Sequence, residues 1–322
     1  MDKAVKIMNR LGKDKTPFLF IIDFDMKEPK IILLDDLQNS EEILFDIAGK
    51  KNHTKLERPH KKLTLHKNPI DFNTYKKAFN TVIQNERAGN SYLLNLTLPS
   101  EIECNYSLQE IFAASKARYK LLYKNLFTVF SPESFVKIRD NKIYSYPMKG
   151  TIDASIKDAK NVILNDKKEH AEHVTIVDLI RNDLSVISKN VRVNKFRYFD
   201  TIKTSDKDLL QVSSEIIGDL PNDFNEHIGS ILQSLLPAGS ITGAPKKKTV
   251  EIIKEVEKYN RGYYTGIFGY FDGNNLDSAV MIRFIEKTSK GLVYKSGGGI
   301  TVNSDLEKEY NELKDKIYVP TI

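Results

Sequence analysis

The sequence predicts a large α+β layer structure. Two patterns carry that expectation: long strand-like stretches interleave with long helix-like ones, and they do so without a regular alternating repeat. Size agrees with it, because 322 residues at 40% apolar content can bury one large core or two moderate ones.

Residues 18–24 and 30–34 are short apolar runs parted by Glu28-Pro29, which reads as a hairpin. Residues 41–48 read as a short helix. Residues 49–69 are basic and polar with two prolines and read as a loop or linker, so the segment before them is a partial layer rather than a unit that stands alone. Residues 72–87 have helical spacing that stops at Ala88-Gly89-Asn90. A strand is expected over 91–98, a helix over 108–119 and a strand over 126–130. Residues 134–139 and 142–146 flank Asp140-Asn141, a second hairpin. A long helix follows over 167–187, then a strand over 191–199, the stretch 209–217, and a helix from near Asn225. Glycine-punctuated strands over 262–271, 278–286 and 291–295 precede a final helix over 305–316.

Charge and cysteine content narrow the function classes. A net charge of +6, from 49 basic and 43 acidic residues, is a mixed surface with a mild excess that suits small anionic substrates. Nucleic acid is the weaker reading, since the basic residues are scattered and neither zinc-finger spacing nor an aromatic-rich RNA signature occurs. Cys104 is the only cysteine, which excludes an intrachain disulfide and argues against a cysteine-based zinc or iron–sulfur site. No stretch approaches a membrane span, and the cytoplasm is the default expectation.

Several segments carry polar groups at informative spacing. Residues 237–248 (Pro-Ala-Gly-Ser-Ile-Thr-Gly-Ala-Pro-Lys-Lys-Lys) form a turn-rich, hydroxyl-bearing loop that opens directly into a helix, with Pro245 as a first-turn residue and helical spacing carried on over 249–259. Free N–H groups at such an entry suit an anion; an ordinary loop-to-helix junction is the bland alternative. Glu169 and Glu172 lie three apart on one helix, and Glu309 and Glu312 repeat that spacing on the last one. Four carboxylates from two helices suit a hard cation such as Mg²⁺, although each pair alone also reads as solvated surface. His170 and His173 are not in a His-Glu-x-x-His arrangement, which disfavours zinc. Gly297-Gly298-Gly299 either lets backbone approach a ligand or turns a corner; neither it nor residues 239–246 has a nucleotide-binding spacing. Lys149 follows Glu133 by sixteen residues and reads as a surface charge or a positioned amine. Asp178, Arg181, Asn182 and Asp183 read as a polar cap. Arg283, inside an apolar strand, must find an anion or expose its head.

Taken together these segments resemble the chorismate-utilising enzymes, which include anthranilate, isochorismate, salicylate and aminodeoxychorismate synthases. The matching pieces are Ser131-Pro-Glu, Pro147-Met-Lys-Gly-Thr, the run from Glu169 to Leu184, residues 237–246, Arg261-Gly-Tyr-Tyr-Thr-Gly, Gly297-Gly-Gly-Ile and Asn303-Ser-Asp-Leu-Glu-Lys-Glu-Tyr. They span residues 90 to the end; the first ninety match only weakly. The resemblance implies one large layered α+β domain of antiparallel sheets flanked by helices, as in anthranilate synthase component I. Residues 1–70 would be a short N-terminal portion of that fold and 71–322 the chorismate-binding catalytic domain.

The resemblance also implies roles. Glu172 and Glu312 fall on the Mg²⁺-ligand positions, with Glu169 and Glu309 supporting. Tyr264, Arg283 and Lys316 match residues that hold substrate carboxylates, Gly297 and Gly298 the backbone contacts, and Thr242 the hydroxyl-bearing loop. Glu133 matches the general acid that protonates the departing C4 hydroxyl, a role that requires a raised pKa. Lys149 points to the aminodeoxychorismate branch, in which a lysine amine attacks C2 before ammonia enters at C4; such an amine needs a lowered pKa. Leu93 stands where the isochorismate branch has a water-activating lysine and amino-transferring members commonly have Gln. Gln211 stands where the family often has His. The expected function is therefore aminodeoxychorismate synthase component I in para-aminobenzoate and folate synthesis, with anthranilate synthase component I as the alternative enzyme. A metal-dependent small-molecule sensor is the non-enzyme alternative, against which Glu133 and Lys149 both speak. The implied partners are chorismate and a separate glutamine amidotransferase that delivers ammonia, with no second enzyme expected after Ile322.

Overall fold

The computed structural model describes residues 1–54, 56–203 and 208–321. The first strands in chain order are β1 (Phe18–Ile22), β2 (Lys30–Leu33), β3 (Ile43–Ile47), β4 (Lys50–Lys51), β5 (Leu65–Asn68) and β6 (Leu93–Cys104). The middle of the chain supplies β7 (Tyr119–Tyr123), β8 (Phe127–Ser131), β9 (Ser134–Arg139), β10 (Lys142–Ser145), β11 (Met148–Asp153), β12 (Lys189–Lys203) and β13 (Asp208–Asp219). The last third adds β14 (Gly243–Ala244), β15 (Ile267–Phe271), β16 (Leu276–Val280), β17 (Phe284–Thr288) and β18 (Gly291–Ile300). The helices are α1 (Asp2–Lys13), α2 (Phe72–Arg87), α3 (Leu108–Ala114), α4 (Ala159–Asn165), α5 (Lys167–Ile187), α6 (Ile228–Leu235), α7 (Lys246–Glu257) and α8 (Leu306–Asp315).

Among the described residues these strands make two nine-stranded antiparallel sheets. The first runs β11-β13-β10-β9-β16-β15-β1-β2 with β12 paired to β13; the second runs β14-β6-β18-β17-β8-β7-β3-β4 with β5 paired to β6. Strand β1 shows how they stack. Its five residues are all buried: Phe18, Phe20 and Ile22 face the core under the helices, while Leu19 and Ile21 face the core between the sheets. Side chains alternate across a strand, so only a continuous apolar run can cover both faces. The N-terminal segment is thus built into the first sheet, between β2 and β15. A third core, around Ile111, Phe112, Tyr294 and Ile317, lies on the other face of the second sheet.

Several expected elements differ in the structure. Residues 41–48 contain strand β3 rather than a helix, with Leu44, Phe45 and Ile47 buried beside β7; a short apolar run fits either period, and pairing to β7 decides it. The helix expected over 108–119 stops at Ala114, and Tyr119 already begins β7; its capping box of Ser107 and Glu110 fixes the start. The stretch 278–286 is two strands, one in each sheet, and the strand expected over 291–295 continues through the glycines to Ile300. Helix α1 was not anticipated; charges break its apolar run, yet Ala4, Met8 and Leu11 line one face, which packs near α6. The long helix α5 has the expected limits, and the 134–146 hairpin turns on Asp140 and Asn141 at positive φ. No helix among the described residues is long and apolar enough to cross a membrane.

Candidate active site

Two chain crossings between the sheets create the site. Strand β8 belongs to the second sheet and β9 to the first, with only Pro132 and Glu133 between them. Strand β16 belongs to the first and β17 to the second, with Met281, Ile282 and Arg283 between. The crossings are neighbours: the Val280 N–H donates to the Glu133 carbonyl at 3.2 Å and the Phe130 N–H to the Arg283 carbonyl at 3.1 Å. Arg283 turns at a φ of 54°, a left-handed conformation that a residue this bulky adopts only under surrounding constraint. Glu133 and Arg283 therefore sit at the fork where the sheets part.

A cavity of about 450 Å³ occupies that fork. Its wall includes Glu133, Lys149, Glu169, Thr242, Tyr264, Arg283, Gly297, Gly298, Glu312 and Lys316, which the sequence scatters over the whole catalytic stretch. Glu172 and Glu309 stand just behind it. Glu172 Oε2 is 2.6 Å from Lys149 Nζ, and Ser304 Oγ donates to Glu309 Oε1 at 2.7 Å. Strand β18 forms one side with bare peptide: a Cβ on Gly298 would meet Glu312 Oε1 at 3.4 Å and Glu309 Oε2 at 3.5 Å, and one on Gly297 would strike the Leu96 carbonyl oxygen at 2.1 Å. Leu93 and Gln211 are also on the wall, and Leu93 Cδ1 and Lys149 Nζ both border the space beside Gly299.

The charges in the cavity are strongly coupled. Burial pushes the Glu133 carboxyl above its usual range, against the opposing pull of the Ser240 hydroxyl and of Arg283, Lys316 and Lys149. Ser240 Oγ donates to Glu133 Oε1 at 2.5 Å. For Lys149, burial lowers the pKa, but Glu172, Glu169 and Glu312 together outweigh it and the amine ends above its ordinary value. That is opposite to the lowered pKa expected of a nucleophile: three carboxylates hold the ammonium form. Lys316 goes the other way, lowered by burial despite Glu312 at 2.6 Å, with Arg283 and Lys149 adding positive charge. Thr242 is fully buried, and its hydroxyl donates to the Ala238 carbonyl at 2.8 Å, which shapes the loop.

Several contributors were not singled out for these parts in the sequence. Ser240 lies within the 237–248 loop, but nothing in its spacing says that it meets Glu133. Arg261 is buried in a fork with Glu257 at 2.6 and 2.8 Å. It also donates to the carbonyls of Ile241 at 3.0 Å and Asn95 at 2.7 Å, tying the loop to β6. Lys246 pairs with Asp183 at 2.8 Å, so the entry to α7 is engaged by α5 while the preceding loop, Ser240 to Gly243, faces the cavity. His173 is a fully buried packing residue, bonded to Ser214 Oγ at 2.7 Å, its pKa lowered to about 4 by burial and then by Arg197.

The four glutamates fit a hard cation in donor chemistry, offering oxygen alone. Among the described residues no three His, Cys, Asp or Glu side chains are gathered closely enough to hold a metal ion. Lys149 and Lys316 engage Glu172 and Glu312 instead.

Comparison with known proteins accords with this architecture. The model of the family described as chorismate binding enzyme matches residues 16–321. An "Uncharacterized PabA-like protein" of Haemophilus influenzae is 51% identical over 322 residues, covering 99% of this chain and 97% of the relative. Anthranilate synthase component 1 of Archaeoglobus fulgidus and aminodeoxychorismate synthase component 1 of Bacillus subtilis are each 34% identical. Those two matches cover 58% of this chain and 45% and 38% of the respective relatives. In fold, the chain is similar to MenF, the menaquinone-specific isochorismate synthase of Escherichia coli, at a TM-score of 0.75 and 16% identity, covering 98% of this chain and 80% of that one. With the family model spanning both sheets and every residue of the cavity wall, the chain belongs to the chorismate binding enzymes.

Proposed function

We propose that this chain is the synthase component of an aminodeoxychorismate synthase. It converts chorismate and ammonia to 4-amino-4-deoxychorismate, the precursor of para-aminobenzoate in folate synthesis. A separate glutamine amidotransferase supplies the ammonia. The observation that carries this reading is Lys149, an amine on the wall of the same cavity as the half-buried acid Glu133.

Arg283 and Lys316 bind the substrate carboxylates, with Tyr264 and the peptide of Gly297 and Gly298 closing around the ring. Glu133, its pKa raised by burial, gives its proton to the C4 hydroxyl as the C4–O bond breaks and water leaves. The Lys149 amine forms its bond at C2 in that step, and both ring double bonds shift by one position toward C4. Ammonia then bonds to C4 and returns a proton to the Glu133 carboxylate, both double bonds shift back, and the C2–N bond breaks to release the Lys149 amine. Mg²⁺ would be held by Glu172 and Glu312, with Glu169 and Glu309 supporting, and would supply positive charge for a substrate carboxylate. Lys149 must first give up a proton, for which Glu172 is the carboxylate in contact. Once these carboxylates are neutralised, the burial that lowers the Lys149 pKa is no longer outweighed.

A second reading, anthranilate synthase component 1, draws on the same pair: an ammonium locked to Glu172 can serve as a fixed charge. Incubating the purified chain with chorismate, Mg²⁺ and an ammonium salt decides between them. The expected product is 4-amino-4-deoxychorismate; anthranilate would replace the proposal with the second reading. Without ammonia, substrate-derived mass should appear on the peptide carrying Lys149. Glutamine should be used only after the amidotransferase is added.

A further inference from the structure

We propose that Tyr318 is a positioning residue for Arg283, setting its guanidinium for a carboxylate of the substrate; this rests on the cavity being the chorismate site. Among the described residues, Tyr318 supplies the one side-chain hydrogen bond of Arg283, from Nε to the phenol oxygen at 3.4 Å. The guanidinium carbon also lies 5.4 Å from the centre of the Tyr318 ring, within cation–π range. Both contacts use the Nε edge and the face of the group. They leave the two Nη nitrogens, the pair that grips a carboxylate in parallel.

The backbone under Tyr318 is anchored independently of its side chain. Ile317 and Val319 on either side are buried in the third core. The Tyr318 carbonyl accepts from the Tyr294 hydroxyl at 3.1 Å, and the Pro320 carbonyl from the Lys116 N–H at 2.6 Å. The Tyr318 side chain itself remains 43% exposed. A phenol on a fixed backbone can therefore brace a long, flexible arginine without belonging to the core, and its removal spares the fold.

The test compares Tyr318→Ala, Tyr318→Phe and Arg283→Ala by calorimetric binding of chorismate with Mg²⁺ and no ammonia, and by steady-state kinetics. Tyr318→Ala should weaken chorismate binding and raise KM roughly 10-fold, with kcat within about 2-fold of the parent and an unchanged melting temperature. Tyr318→Phe, which keeps the ring, should recover most of that loss. In an Arg283→Ala background, Tyr318→Ala should add nothing. Unchanged binding in Tyr318→Ala, beside a clear loss in Arg283→Ala, would overturn the positioning role and leave the site reading intact. A loss confined to kcat, or a full and additive loss in the double variant, would also overturn it. Unchanged binding in Arg283→Ala would bring down the site reading and this inference together.

Discussion

Lys149 with Glu172 and Lys316 with Glu312 are the same contact made twice around one cavity, each at 2.6 Å. Their electrostatic outcomes are opposite. Burial lowers both: at Lys149 the carboxylates of Glu172, Glu169 and Glu312 outweigh it and the pKa rises, whereas at Lys316 burial prevails over Glu312, with Arg283 and Lys149 adding to it, and the pKa falls. Glu172 is nearly buried, whereas Glu312 is half exposed. The length of an ion pair thus says little about the pKa of its amine; burial and the surrounding charges decide it together. One end of the cavity is built to receive negative charge and the other already holds it. Arg283 adds positive charge at the Lys316 end, while Glu172, Glu169 and Glu312 all act on Lys149 at the other.

The largest expected effect comes from removing each lysine in turn. Lys149→Ala should lower the rate of C4 amination by about 10³-fold or more while chorismate still binds. Lys316→Ala should instead raise the chorismate KM, by about 10- to 100-fold, the range for a charged hydrogen bond. Equal effects on KM from both would erase the functional difference between the ends and favour a fixed-charge role for Lys149. Glutamine substitutions sharpen the comparison next. Glu172→Gln and Glu312→Gln should each raise the Mg²⁺ concentration for half-maximal turnover by about 10-fold, with a matching loss in calorimetric Mg²⁺ binding. Wild-type behaviour of both variants at limiting Mg²⁺ would remove them as ligands.

The smallest effect concerns a carboxylate with no lysine beside it. Glu86 on α2 is buried, and among the described residues neither of its oxygens has a hydrogen-bond partner. Burial raises its pKa from 4.5 to about 8. The folded chain keeps this proton up to about pH 8, whereas an unfolded chain releases it near 4.5, so folding binds a proton in that window. Stability should therefore fall as pH rises from about 4.5 to about 8. Glu86→Gln should gain melting temperature relative to the parent at pH 8 and little at pH 5, with turnover unchanged. An equal gain at both pH values would mean that Glu86 does not titrate there.

What the sequence made legible follows from the range of the forces involved. The limits of α5 and the Asp140-Asn141 turn are written locally, in periodicity and turn chemistry. The carboxylates and cations that the cavity collects are named by the resemblance of their motifs to the chorismate-utilising enzymes, not by local pattern. The crossings at Glu133 and Arg283 are not written locally, because a change of sheet depends on partners up to about 150 residues away. Folding likewise brings Ser240 to Glu133, 107 residues apart, and Tyr318 to Arg283, 35 apart. For Lys149, a nucleophile's role implies a lowered pKa; the carboxylates that raise it instead come from helices brought near only by folding.

The glycine run of β18 has a bearing on how such an enzyme can diversify. Where a pocket is lined by peptide, no side chain exists to be exchanged, and any replacement at Gly297 meets the neighbouring strand before it meets a ligand. Leu93, Lys149 and Gln211 present ordinary side chains to the same space and are open to substitution. Mutational drift can therefore rewrite what is done to a bound molecule while leaving untouched the surface that recognises it. A laboratory library aimed at new products should be confined to positions 93, 149 and 211.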